Sequence, residues 1–306
     1  MKKIATILTV FNRREKTLSC LKSLFEALQT YNQTTTDRIV LSVFLTDDGC
    51  TDGTADTVRE TFADKDIRIL QGTGSLFWAG GMRLAWQAAI DSGTMWDYYL
   101  LLNDDTYMYN NAFSQLLEAD EFGYRQTGQH GLSSGITCQP GNPKETTYGG
   151  MNFVNKTKGR QEILQPSGKP QHIDMPHANI LLVHQSAVQA MGIFYKGYTH
   201  GCADNDYGMM AHRHRLPVYS TARVCGECEC DHDTSKDEIK KLIAMSLAER
   251  KLFVNSPTHS DRDYLLFVRR NMPLRYPVAC LLRAIRLYVP KLYYHITSLR
   301  GVYKSR

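Results

Sequence analysis

The chain has 306 residues, 42% of them apolar and 22% charged, enough for one or two domains with a proper core and unlike a disordered or fibrous protein. Its net charge of +5 is unevenly spread, because Tyr264 to Arg306 holds nine Lys or Arg and no Asp or Glu, which leaves the rest mildly acidic. A basic end of this kind points to a polyanionic partner, and no long uncharged apolar run is present to cross a bilayer.

In chain order, Ile4 to Val10 reads as a first buried strand rather than a leader, since the charged start runs into Asn12-Arg13-Arg14 with no small-residue cleavage site. Arg14 to Leu28 places Leu18, Leu21, Leu24, Phe25 and Leu28 on one helical stripe. Ile39 to Leu45 is a β-branched run, Asp52 to Phe62 a helix, Ile67 to Leu70 a strand, and Ala79 to Ser92 a helix with Leu84, Ala85, Ala88 and Ala89 inward. Trp96 to Leu102 is a strand and Ala112 to Leu117 a helix. The alternation predicts an α/β fold, a mainly parallel sheet covered by helices on both faces, with ligands at the carboxyl ends of the strands. From Gly123 to Gly168 helical periodicity vanishes and short strands are expected, among them Gly135 to Cys138 and Gly149 to Val154. Ile180 to Met191 passes from strand to helix, and Lys236 to Asn255 reads as a single amphipathic helix. The eight Cys suit a reducing compartment with free thiols.

Three acidic clusters end or follow strand-like runs: Asp47-Asp48-Gly49, Asn103-Asp104-Asp105 and Asp204-Asn205-Asp206. Carboxylates at such places are costly to desolvate unless they hold a cation or polar ligand, or remain in water. Asp47 or Asp48 can accept from a pyrimidine N–H or a ribose hydroxyl, while Asp52 or Thr51 can cap the next helix; simple turn and cap roles are the other, less favoured reading of all three acids. Asp104 and Asp105 can bind Mg2+ or Mn2+ and leave positions for diphosphate oxygens. The loop Gly72-Thr73-Gly74-Ser75 with Trp78-Ala79-Gly80-Gly81 lets backbone approach a phosphate or sugar, although it is neither a dinucleotide fingerprint nor a P-loop. In the third cluster one carboxylate can act as general base and the other grip a hydroxyl, with His200, His212, His214 and His232 nearby. Cys225, Cys228 and Cys230 lack a second ligand pair at zinc spacing and read as strand or loop structure.

Taken together and in this order, Thr9-x-x-x-Arg13, Asp47-Asp48-Gly49-x-Thr51-Asp52-Gly53-Thr54, Asn103-Asp104-Asp105 and Asp204-x-Asp206-Tyr207-Gly208 resemble the family 2 glycosyltransferases of GT-A fold, over most of residues 1 to 235. The last pattern, with His232 downstream, is most similar to bacterial rhamnosyl- and galactofuranosyl-transferases. The resemblance implies a nucleotide-sugar-binding half (residues 1–120), an acceptor-binding half (121–235) and a basic helical extension (236–306). It implies that Thr9, Phe11, Arg13, Asp47, Asp48 and Gly74 form the nucleotide pocket. Trp78, Gly80, Gly81, Met82 and Asp104 would line the donor sugar. Asp105, Asp104 and His232 would hold Mg2+ or Mn2+. Asp204 would be the general base and Asp206 its support. Met210 stands where the family usually has Arg, and Arg213 offers a guanidinium one turn later.

The expected function is therefore an inverting, metal-dependent transfer from a UDP- or dTDP-sugar to a glycan or polyprenyl-diphosphate-linked acceptor in surface polysaccharide synthesis. The expected location is the cytoplasm, at the inner face of the plasma membrane if the interleaved basic and apolar residues 271 to 306 rest on anionic lipid; packing on the core is the other reading of that segment. No recognition motif supports nucleic acid as a partner. A sugar nucleotidyltransferase would need a basic Gly-rich loop after Val10, where there is no Gly, and a non-catalytic glycan- or lipid-binding protein would not need Asp48, Asp105 and Asp204.

Overall fold

The computed structural model describes residues 1–230, 235–259 and 261–299. Its first half runs β1 (Lys2–Val10), α1 (Arg14–Thr34), β2 (Ile39–Asp47), α2 (Thr54–Thr61), β3 (Ile67–Gln71), α3 (Phe77–Asp91) and β4 (Tyr98–Leu102). Then come β5 (Tyr107–Met108), α4 (Ala112–Thr127), β6 (Leu132–Gln139), β7 (Asn142–Tyr148), β8 (Met151–Asn155), β9 (Arg160–Ile163), β10 (Gln171–His172) and β11 (Ile180–His184). The chain continues through α5 (Gln185–Met191), α6 (Ala203–Arg213) and β12 (Val218–Glu227). It ends in α7 (Ser235–Ala244), α8 (Leu247–Asn255), α9 (Asp261–Asn271), α10 (Tyr276–Tyr288) and α11 (Pro290–Leu299).

One sheet carries the fold, in the order β10-β12-β6-β11-β4-β1-β2-β3, with β5 on β12 and β7 on β6. β3, β2, β1 and β4 are parallel neighbours. β11 runs against both β4 and β6, and β12 runs with β6. Six strands therefore point the same way, and their carboxyl ends share one edge with the start of β11.

The sheet is buried on both sides, and period-two alternation along each strand sorts its residues between two cores. Ala5, Ile7, Tyr99 and Leu101 face the core closed by α3, α5, α6 and α9. Ile4, Leu8, Val10, Leu100 and Leu102 face the core closed by α1 and α4. In α3 the inward stripe is Met82, Ala85, Trp86 and Ala89, so it sits slightly N-terminal to the expected one and includes a fully buried Trp.

The C-terminal region departs from expectation at one point. The single helix expected over Lys236 to Asn255 is two helices, because Ser246 opens α8 with a capping box: its hydroxyl accepts from Glu249 N–H at 3.3 Å and the Glu249 carboxylate accepts from Ser246 N–H at 2.7 Å. The region divides its packing between two clusters. Phe267, Val268, Met272 and Ala279 belong to the main core, whereas Leu242, Val254 and Leu287 form a small cluster of their own. Among the described residues no helix is long and apolar enough to cross a membrane.

Candidate active site

The three acidic clusters meet at the shared edge of the sheet. Val10 is in register with Asp47, and Asp47 with Gln71, so the turns after β1, β2 and β3 lie side by side. Leu102, the last residue of β4, pairs with Ile180, the first of β11. Among the described residues four non-glycine positions have φ between 51° and 62°, and three of them, Asn12, Phe77 and Cys202, lie after β1, at the first residue of α3 and just before α6. Backbone strain thus gathers where these turns converge.

On the nucleotide side, Phe11 is 55% exposed, an aromatic face left in solvent where β1 ends. Thr9 beneath it packs against Gly81, where a Cβ would fall 2.7 Å from the Thr9 Cβ. Both carboxylates of the Asp47-Asp48 pair are buried and already bonded to backbone. Asp47 accepts from Cys50 N–H at 2.7 Å. Asp48 accepts from Gly74 N–H at 2.8 Å and Phe77 N–H at 2.9 Å. Asp48 therefore shapes the Gly-rich loop, and Gly49 is needed there because its φ of 85° is joined by a 3.0 Å approach to Gly74. Asp52 lies one position before the helix cap, which is Gly53, and accepts from Thr54 N–H.

Arg13 bridges the second cluster, its Nη1 lying 3.1 Å from Asp104 Oδ1 and 2.9 Å from Asp105 Oδ2. Burial pushes the Asp104 carboxyl up to about 6, against the opposing pull of Arg13. Asn103 turns its side chain the other way and accepts from the Trp78 indole N–H at 2.8 Å, which ties the donor side of α3 to the end of β4. Gly80, Gly81 and Met82 do not share that exposure. All three are buried, and Met82 lies wholly in the hydrophobic core, so this part of α3 supports the site without presenting a surface to it.

The third cluster opens α6. Asp204 is half-buried; its Oδ2 accepts from Ala178 N–H at 3.1 Å and its Oδ1 from Asn205 N–H at 2.8 Å. Burial raises its carboxyl above the ordinary range, and those two N–H groups pull it part of the way back. A short path links it to the second cluster: Ala178 precedes Asn179, whose carbonyl accepts from Asn103 N–H at 3.2 Å. Asp206 is not free to receive an acceptor. It is 1% exposed, bonded through Arg270 Nε at 3.1 and 3.2 Å, and held by Asn271 Nδ2 at 2.7 Å. The guanidinium on this carboxylate thus comes from α9; Arg213 instead donates to Asn271 Oδ1. Arg270 is itself stacked on Tyr195, 3.8 Å from the ring centroid. Arg270 and Asn271 escaped the sequence reading because 64 and 65 residues separate them from their partner.

The donor chemistry of Asp104 and Asp105 fits Mg2+ or Mn2+, which take one or two carboxylates together with phosphate oxygens and water. Among the described residues no third His, Cys, Asp or Glu completes a ligand cluster. His232 lies outside the described residues. Cys228, 3.7 Å from Asp105 Oδ1, is pushed up to about 12 by burial and stays a thiol. Cys225 ends in β12, Cys230 is exposed, and all eight cysteines are free.

A mostly parallel sheet that gathers strained turns, paired carboxylates and a glycine loop at one edge defines the GT-A class of nucleotide-sugar enzymes. The chain belongs to glycosyl transferase family 2, whose model matches residues 6–168, and is a glycosyltransferase. Residues 1–349 of S. aureus TarS in complex with UDP have the same fold, at 15% identity and a TM-score of 0.50, with 88% of this chain and 71% of that one covered. The complex of the same protein with UDP-GlcNAc gives 14% identity, 88% and 72% coverage and a TM-score of 0.49. The longer S. aureus TarS gives 14%, 88%, 43% and 0.48. None of the curated proteins matches the chain.

Proposed function

We propose that this glycosyltransferase moves a sugar, of rhamnose or galactofuranose type, from a UDP- or dTDP-sugar to a glycan or polyprenyl-diphosphate-linked acceptor, with inversion, in surface polysaccharide synthesis. The observation that carries the proposal is the placing of Asp204, a carboxylate of raised pKa, at the same sheet edge as the Asp104-Asp105 pair and joined to it through Ala178, Asn179 and Asn103. The fold shared with the UDP complex of TarS supports a uridine or thymidine nucleotide over a purine one.

Phe11 stacks on the base, and the Asp48-braced loop sets the wall beside it. Asp105, with Asp104, would hold Mg2+ or Mn2+, which would supply positive charge opposite the leaving nucleoside diphosphate. Arg13 keeps the two carboxylates together and balances their charge. Trp78, fixed by Asn103, faces the sugar. Asp204 takes the proton from the acceptor hydroxyl as that oxygen attacks the anomeric carbon from the side opposite the diphosphate. Arg270 and Asn271 hold Asp206 still, which anchors the first turn of the helix that carries the base.

A lipid-linked acceptor also accounts for the far end of the molecule. Leu274 just before α10, Val278, Leu281 and Tyr288 along it, and Leu292 in α11 are each 45% or more exposed. The basic charge there is smaller than the sequence indicates, since Arg283 and Arg286 pair with Asp261, and Arg286 also with Glu238. The segment both packs on the protein and leaves an apolar strip, which we assign to the surface of an anionic bilayer.

The test is Asp204→Asn. Turnover should fall by about a hundred- to ten-thousand-fold, the contribution of a positioned base, while nucleotide affinity stays within about twofold. The wild-type rate should also fall as the medium is acidified through the raised pKa of Asp204. Wild-type turnover in Asp204→Asn would remove the base assignment.

A further inference from the structure

We propose that Asp263 is the positioning residue that sets Asp204 in register with the donor side of the site, an inference that rests on reading Asp204 as the base. Asp263 lies in the first turn of α9, fifty residues beyond the end of α6 in the sequence, and is 1% exposed. Its carboxylate accepts from three consecutive backbone N–H groups: Thr199 at 3.1 and 3.2 Å, His200 at 2.6 Å and Gly201 at 3.0 Å. No helix or strand bond satisfies these donors, so without the carboxylate they would be left unpaired.

The next residue, Cys202, has φ of 62° and is the N-cap of α6, and its carbonyl accepts from Asp206 N–H at 2.9 Å. A left-handed turn at a residue with a Cβ is strained and persists only where its surroundings over-determine it. Hydrogen bonds to an ionised acceptor are about twice as strong as neutral ones, and three converge here. Asp263 thereby holds the turn that aims the second residue of α6, Asp204.

The same segment touches the donor side. Thr199 carbonyl accepts from Ala79 N–H at 3.1 Å, immediately after Trp78, and Tyr198 carbonyl accepts from Arg83 Nη1 at 2.8 Å. One carboxylate from the C-terminal region thus joins the base-bearing helix to the helix that carries Trp78. A shift of about 1 Å at a reacting group can cost on the order of a hundredfold in rate, with little effect on ligand contacts elsewhere.

Amide hydrogen exchange on the wild-type enzyme and steady-state kinetics of Asp263→Asn test this together. The amides of Thr199, His200 and Gly201 should exchange as slowly as those of the central strands. In Asp263→Asn they should exchange faster, and kcat should fall about 10- to 100-fold with donor KM within about twofold. Should Asp263→Asn fail to fold, Asp263→Glu keeps the charge, displaces it by one methylene and should show the same split between kcat and KM. Rapid exchange at these three amides in the wild type overturns the proposal, as does a folded variant with unchanged kcat. The exchange result stands apart from the reaction, so loss of the base reading through Asp204→Asn would be recognised separately.

Discussion

Gly81 is the residue at which the donor helix and the first strand come closest. A methyl group there would drive into the Thr9 side chain, and the Gly81 carbonyl is fixed by the Thr46 hydroxyl at 2.8 Å. Gly81→Ala should therefore cost about 1–3 kcal/mol by urea unfolding, as over-packing does elsewhere, and should weaken nucleotide binding by moving Thr9. An unchanged midpoint would mean that α3 can slide, and that the contact sets nothing. Single residues also mark where sequence reasoning stops. The acids at 47, 48, 104, 105, 204 and 206 are visible as strand-end clusters. What each one holds is not, because Asp48 takes its bonds from Gly74 and Phe77, and Asp206 from Arg270. Those partners are chosen by the folded chain, and local spacing carries no trace of them.

At the scale of elements, β1 to β4 and their helices were legible because buried parallel strands and amphipathic helices differ in period. The break between α7 and α8 had a local sign, the Ser246-x-x-Glu249 pattern, which a continuous apolar stripe outweighed. Helices α10 and α11 carry a prediction of their own. The protein should sediment with vesicles of mixed zwitterionic and anionic lipid and much less with purely zwitterionic ones. Leu281→Asp should cut that binding severalfold while leaving transfer to a soluble acceptor intact. Equal binding to both vesicle types would contradict an anionic surface, and a concentration-dependent dimer lost in Leu281→Asp would assign the strip to a second copy of the chain.

Over the whole molecule, the second half of the sheet was the part least open to reading. β5 and β10 have two residues each, β8 and β9 pair with each other apart from the main sheet, and the antiparallel insertion of β11 between β4 and β6 follows from no local pattern. That insertion nonetheless makes the site, because it brings Ala178 and Asn179 to the end of β4 and so brings Asp204 to Asp104 and Asp105. Residues from the first strand to the ninth helix meet at one edge, which we propose binds a pyrimidine nucleotide through a divalent cation. Calorimetric titration of UDP, dTDP, GDP and CMP, each with and without Mn2+, into the wild type and Asp105→Ala tests it most directly. Binding of UDP or dTDP should require Mn2+ and be lost in Asp105→Ala. Binding of no nucleotide, or binding indifferent to both the metal and Asp105, would contradict it.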